Sequence, residues 1–273
     1  MRMSTIVGFC CILAALVCSS PAPAADDPAP KRTVIFVDGA PRWEYRYLRN
    51  LLARQKNIDT SILLTSADKD TPIEGATALK AFPKDLQELS NYDLLIIGDV
   101  DPTYFTQEQF KLIAEFVRRG GGLIVSAGPK YMPHAYKDTP LAPILPIVIP
   151  DKPQDPKALF KAGYRIQITD AGLKSGVFNI KPDADQNQEI YEQEAAELFW
   201  FAMDVQPAPN AQVLAQHSTA KTKDQPLPLL VATDIDKGKS IYIGTDETWR
   251  WRFYTGEKLH ETFWLNLLNL APR

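Results

Sequence analysis

The pattern of apolar and polar positions divides the chain into alternating strand-like and helix-like stretches. Thr33–Val37, Leu94–Ile97 and Leu123–Val125 are short apolar runs of the kind expected for buried strands, and Ile58–Leu64 reads as a further strand. Between them, Arg42–Arg54 places Tyr45, Leu48, Leu51 and Leu52 on one helical face. Thr106 to Arg119 repeats the pattern with Phe110, Ile113, Ala114 and Val117, and Thr106 with Gln109 predicts a capping box at its start. A short helix is expected around Asp85–Leu89, with an irregular polar stretch over Thr65–Phe82 before it. Strands and helices in this rhythm predict an α/β fold with a doubly wound, mostly parallel sheet. Further strands are expected at Tyr164–Thr169, Val213–Gln216, Leu227–Thr233 and Ser240–Ile243, helices at Glu189–Phe201 and Glu257–Leu270, and a turn over Asp236-Lys237-Gly238-Lys239. Pro129 to Lys157 reads as loop, and Asp151–Pro209 as an elaboration of one domain spanning 33–273.

The amino terminus departs from this pattern. Arg2, the apolar run Ile6–Val17 and Ala22-Pro23-Ala24 give residues 1–25 the three parts of a secretory signal peptide, with 26–32 as a flexible lead-in. Export to the periplasm or beyond is the expectation, with acylation of Cys18 as the variant that would anchor the protein. All three cysteines, Cys10, Cys11 and Cys18, fall in that segment, so a chain cleaved there has no disulfide and no thiolate chemistry. About 250 residues then remain, enough for a core without staples. A formal net charge of −3 gives no reason to expect nucleic acid as a partner. No transmembrane helix is expected in the mature chain, nor a metal or other cofactor.

In a parallel sheet, ligands sit at the carboxyl ends of the strands. Four turns follow expected strands, and together they would gather Asp38, Arg42, Trp43, Glu44, Arg46, Asp99, Asp101, Ser126, Gly128, Lys130, Asp246, Glu247, Trp249, Arg250 and Arg252 at one crevice. Each also has a plainer reading, as ion pairing, turn chemistry or core packing. If Trp249–Arg252 is extended, both indoles point one way and both guanidiniums the other. Ser126 stands where α/β hydrolases carry a nucleophile, but Ile124 occupies a position that the strained elbow reserves for a small residue. The mature chain offers His134, His217 and His260 as bases, none marked by spacing. His217 reads as part of a polar loop, and His260 as a surface or satisfied helix residue. Ser126 is therefore only a weak catalytic candidate.

Four motifs occur in order: Asp38 to Leu48 (Asp-Gly-Ala-Pro-Arg-Trp-Glu-Tyr-Arg-Tyr-Leu), Tyr92-Asp93 with Gly98-Asp-Val-Asp-Pro102, Gly120 to Pro129, and Gly244 to Phe253. In these the chain resembles the glutamine amidotransferase-like domain of bacterial envelope proteins, of the class I glutamine amidotransferase-like superfamily. The resemblance implies a flavodoxin-like α/β fold. It does not carry the activity, because catalytic members have a cysteine at the elbow and a His-x-Glu pair late in the chain. Here those positions read Ser126 and Asp246-Glu247-Thr248. The expectation is thus an exported, non-catalytic module that binds a small polar or anionic ligand or an envelope protein at the crevice. The alternatives are a hydrolase using Ser126 or the Asp99/Asp101 pair, and a purely structural envelope protein.

Overall fold

The computed structural model describes residues 31–68, 72, 74–151, 162–254 and 256–271. The expected signal peptide, Cys18, most of the lead-in and part of the 151–209 elaboration lie outside them. In chain order the strands and helices are β1 (Arg32–Asp38), α1 (Trp43–Arg54), β2 (Ile58–Leu64), β3 (Thr77–Ala78), α2 (Leu86–Leu89), β4 (Leu94–Ile97), α3 (Gln107–Arg118), β5 (Gly122–Ser126), β6 (Ile147–Val148) and β7 (Ile166–Ile168). They continue with α4 (Asp170–Ser175), α5 (Ala184–Glu189), β8 (Gln206–Pro207), β9 (Gln212–Thr222), β10 (Gln225–Ile235), β11 (Gly238–Ile243) and α6 (Glu257–Leu270).

Nine strands form one open sheet in the order β3-β2-β1-β4-β5-β11-β10-β9-β7. The six from β3 to β11 pair in parallel; β10, β9 and β7 continue it antiparallel. The centre is apolar on both faces, as a covered parallel sheet requires: β4 and β5 are buried at every position. Helix α1 closes one part of it with Tyr45, Leu48, Leu51 and Leu52, all buried, and α3 does so with Phe110, Ile113 and Val117. Each buried Leu, Ile, Val or Phe among them contributes about 1.5–3 kcal/mol. The capping box forms: Gln109 N donates to Thr106 Oγ1 at 3.1 Å, and Thr106 N donates to Gln109 Oε1 at 3.0 Å.

Three expectations need correction. Glu189–Phe201 is not one helix. Asp183 caps α5 earlier in the chain, a π-helical turn covers Ile190–Glu194, and the backbone then runs extended. Tertiary partners hold that segment open: Leu198 bridges Tyr164, and the Trp200 N–H donates to the Glu247 carboxylate at 2.8 Å. Next, His217 lies inside β9 rather than in a loop, buried and stacked on Tyr164 at 4.0 Å. A tight turn with Lys223 and Asp224 at positive φ joins β9 to β10 and makes both strands longer than their apolar runs. Finally, Thr248–Arg252 is a 3-10 turn, so its side chains do not alternate: Trp251 enters the core while Trp249 stays partly exposed.

Candidate functional site

Because β1, β4, β5 and β11 are parallel, their carboxyl ends share one edge, and Arg42 ties three of the following turns together. Its Nε and Nη2 donate to Asp38 at 3.2 and 3.0 Å, and Nη1 donates to the Ala127 carbonyl at 3.1 Å. Nη1 also stands 3.2 Å from Asp246 Oδ2. The second turn leaves room for this cluster only because residue 98 is glycine: a Cβ there would lie 2.1 Å from Asp38 Oδ2.

The three charges differ in exposure. Asp38 is wholly buried, whereas the Asp246 side chain keeps 17% of its surface. Burial raises the pKa of both carboxyls against the pull of Arg42. For Asp246, with Glu44 and Glu247 adding repulsion, it reaches about 6. Burial works against the Arg42 charge as well, but Asp38 and Asp246 outweigh it and raise the pKa, so the guanidinium stays protonated.

Beside this triad, Glu44 is a buried hub between α1, the 248–252 turn and α6. Its carboxylate accepts from the Thr248 hydroxyl at 2.5 Å, from Trp249 N at 3.2 Å and from Trp264 Nε1 at 3.2 Å. His260 Nε2 stands 3.6 Å away. Burial alone would raise its pKa; the His260 imidazole, the Thr248 hydroxyl and Arg42 together hold it below the usual value. Glu247 faces inward too, accepting from Trp200 N and from Arg250 Nε at 2.9 Å.

Several candidates are occupied by structure. Asp99 spends both oxygens on a loop, accepting from the N–H groups of Lys130, Tyr131 and Met132 at 2.9, 2.7 and 2.9 Å. Gly128 permits that approach, since a Cβ there would lie 2.3 Å from Asp99 Cβ. Lys130 contributes its backbone, and its side chain is exposed. Asp101 accepts from Thr103 N and Oγ1 at 2.9 and 2.7 Å, the Asx-turn chemistry expected before a proline-led helical turn. Asp99 and Asp101 thus serve different loops rather than acting as a pair. The Ser126 hydroxyl is buried and, among the described residues, reaches only the Thr245 and Ala127 carbonyls, at 3.4 and 3.5 Å. The histidines are engaged elsewhere: His134 with the Met203 carbonyl, His217 with the N–H groups of Thr219 and Ala220, and His260 near Glu44. Among the described residues nothing activates Ser126 as a nucleophile. Among the described residues no group of His, Cys, Asp and Glu is arranged to hold a metal ion.

The remaining candidates form an aromatic and cationic border. Trp43, Tyr47 and Trp249 lie with ring centroids 5.8–6.0 Å apart. Arg46 lies over Trp43, Arg250 over Trp249, and Arg252 over Tyr47. Arg250 pairs with Glu247 and Arg252 with Glu257. Sequence reasoning missed Tyr47, four residues after Trp43 on the same helix, and the Trp264 and Thr248 partners of Glu44, which no local spacing announces.

No protein-family model and no curated protein matches the chain. Among solved structures it is similar to two cytoplasmic proteins of Salmonella typhimurium. STM1381 of strain LT2 is 21% identical, with a TM-score of 0.62 over 88% of this chain and 100% of that one. STM3548 is 19% identical, with a TM-score of 0.61 over 88% and 99%. A lesser likeness is to Agd3, a carbohydrate deacetylase, at 8% identity and a TM-score of 0.47 over 85% of this chain and 32% of that one. At such identities the likeness is one of fold. None of these is described as a glutamine amidotransferase, so the resemblance drawn from the four motifs is corrected, and the non-catalytic ligand-binding module inferred from it is set aside. The motif residues have local reasons instead, in the contacts of Asp38 with Arg42, of Gly98 with Asp38 and of Gly128 with Asp99.

Proposed function

We propose that the strand-end site is a hydrolytic centre in which Asp246, rather than Ser126 or the Asp99/Asp101 pair, is the acid/base group. The observation that carries this reading is the state of Asp246: a partly exposed carboxyl pushed up to about 6 by burial and held 3.2 Å from a fixed guanidinium. A general base works best with a pKa near the working pH, and perturbed groups gather at functional sites. In this mechanism the Asp246 carboxylate accepts a proton from a water molecule as the water oxygen adds to an acyl carbonyl carbon, giving a tetrahedral intermediate. The resulting carboxylic acid passes that proton to the leaving oxygen or nitrogen as the scissile bond breaks. Arg42 positions the carboxylate and does not touch the substrate. Asp38, wholly buried, fixes Arg42 in turn.

The strand order β2-β1-β4-β5-β11 supports a flavodoxin-like, doubly wound reading of the sheet, since it has the 2-1-3-4-5 pattern whose ligands sit at the strand ends. Export of the chain, proposed from its first 25 residues, is tested by the mass of the mature amino terminus.

Hydrolysis of a panel of nitrophenyl esters tests the proposal. Turnover is expected from the native protein and from Ser126→Ala, and is expected to vanish in Asp246→Asn. Turnover that survives Asp246→Asn rejects the role. The complete pairing of Asp38, Arg42 and Asp246 favours a second reading, a stability network, which predicts no turnover and a less stable Asp246→Asn protein.

A further inference from the structure

A cleft of about 420 Å³ opens on the outer side of α1, lined by Trp43, Tyr45, Arg46, Tyr47, Arg49 and Asn50 among others. Among the described residues its charges are unbalanced. Arg46 donates through Nε to the Pro41 carbonyl at 2.9 Å, and Arg49 donates to Asn50 Oδ1 at 2.7 and 3.1 Å. Among the described residues neither has a carboxylate within ion-pair distance, unlike Arg42, Arg250 and Arg252. Trp43 leaves 53% of its surface to solvent although it has ring neighbours to pack on. From it a line of rings leaves the cleft, through Trp249 at 5.8 Å to the exposed Phe253 at 5.6 Å. Arg42 and Trp43 are consecutive, so the cleft begins one residue from the guanidinium that holds Asp246.

We infer that this cleft and its line of rings bind an anionic sugar chain, one bearing carboxylate or sulfate groups. A guanidinium fork matches such planar or tetrahedral oxyanions, and exposed aromatic rings offer apolar area to the C–H faces of pyranose rings while tolerating polar groups at their edges. A wholly apolar partner is disfavoured, because Arg46 and Arg252 lie against the rings such a partner would cover. The line of rings leading out of the cleft suits a chain better than a single enclosed molecule. This inference deepens the hydrolytic reading by naming its substrate class. It is read by binding alone, so the two fail separately.

The experiment is titration of the full chain, followed by tryptophan fluorescence, with polygalacturonate, dextran sulfate, unmodified dextran and polyglutamate. Saturable binding of polygalacturonate or of dextran sulfate is expected, and which of the two binds identifies the anion. Dextran and polyglutamate are expected to bind at least tenfold more weakly. Arg46→Ala combined with Arg49→Ala should weaken binding at least tenfold, as should Trp43→Ala; Trp43 and Arg46 are exposed and Arg49 half-buried, and circular dichroism confirms that the variants fold. Equal binding of polyglutamate reduces the effect to net charge and overturns the inference, as does unchanged affinity in the folded variants or no binding by either anionic glycan. Loss of turnover in Asp246→Asn with binding retained leaves this inference standing. Binding with no turnover by the native protein upholds it and refutes the hydrolytic reading.

Discussion

Replacing Asp246 with asparagine separates a functional carboxylate from a stabilising one. The folded state raises this carboxyl from 3.8 to about 6, chiefly through burial. A carboxyl whose pKa is raised by folding binds its proton more tightly in the folded chain, so ionisation opposes folding. The opposition grows as pH rises from about 3.8 to about 6 and is constant above. Two pKa units at 1.36 kcal/mol each set the largest cost at about 3 kcal/mol. That figure already contains the attraction to Arg42, because Arg42 lowers the same pKa. Asparagine keeps the shape and removes the charge, while Arg42 keeps Asp38 and the Ala127 carbonyl. Allowing for relaxation and residual solvent, Asp246→Asn should be more stable than the native protein by about 1–2 kcal/mol at pH 8, with the difference shrinking toward zero near pH 4. Urea denaturation followed by far-ultraviolet circular dichroism at both pH values measures it. A variant that is less stable by more than 1 kcal/mol at pH 8 refutes the reasoning and makes Asp246 part of the scaffold.

Other substitutions probe the surrounding network. Arg42→Ala strands Asp38 and Asp246 as unpaired buried carboxylates, so a loss of about 3–5 kcal/mol is expected near neutral pH, smaller at pH 4 where the carboxyls are protonated; chemical denaturation at the two pH values checks it. Glu44 has the opposite sign: its folded pKa lies below the usual 4.5, so its contribution is present above that value and lost as pH falls through the folded pKa. Native protein should therefore show an acid-side stability loss, measurable by thermal melts, that Glu44→Gln reduces. Gly128→Ala brings a Cβ 2.3 Å from that of Asp99 and should cost about 1–3 kcal/mol with disturbed order in the 130–132 loop, seen as faster amide exchange there. Ser126→Ala should change stability by less than about 1 kcal/mol in the same denaturation assay, because its hydroxyl makes only long contacts.

The parallel half of the sheet was readable because its information is local. The run Thr33–Val37 is apolar and largely β-branched, and Thr106 with Gln109 marks a helix start whatever else the chain does. The meeting of the four turns followed from strand direction alone. What was not readable depends on partners distant in sequence. Leu198 to Trp200 have helical composition, yet Tyr164 and Glu247 fix them extended. The Trp249–Arg252 segment alternates in composition but winds as a 3-10 turn, whose Trp249 N–H donates to Glu44, 205 residues earlier. The chemistry of the candidate carboxylates was equally hidden. Asp99 and Asp101 are near neighbours in sequence that serve separate loops, whereas Asp38 and Asp246, far apart in the chain, share one guanidinium.

A catalytic Asp246 carboxyl must move protons in a reaction. The pH dependence of hydrolysis over the nitrophenyl panel reads this most directly. The predicted result is a rate that rises with pH through an apparent pKa of about 6 in native protein and in Ser126→Ala, and that is lost in a folded Asp246→Asn variant. A rate unchanged by Asp246→Asn, or a profile that ignores pH between 5 and 7, about one unit either side of that value, would contradict it.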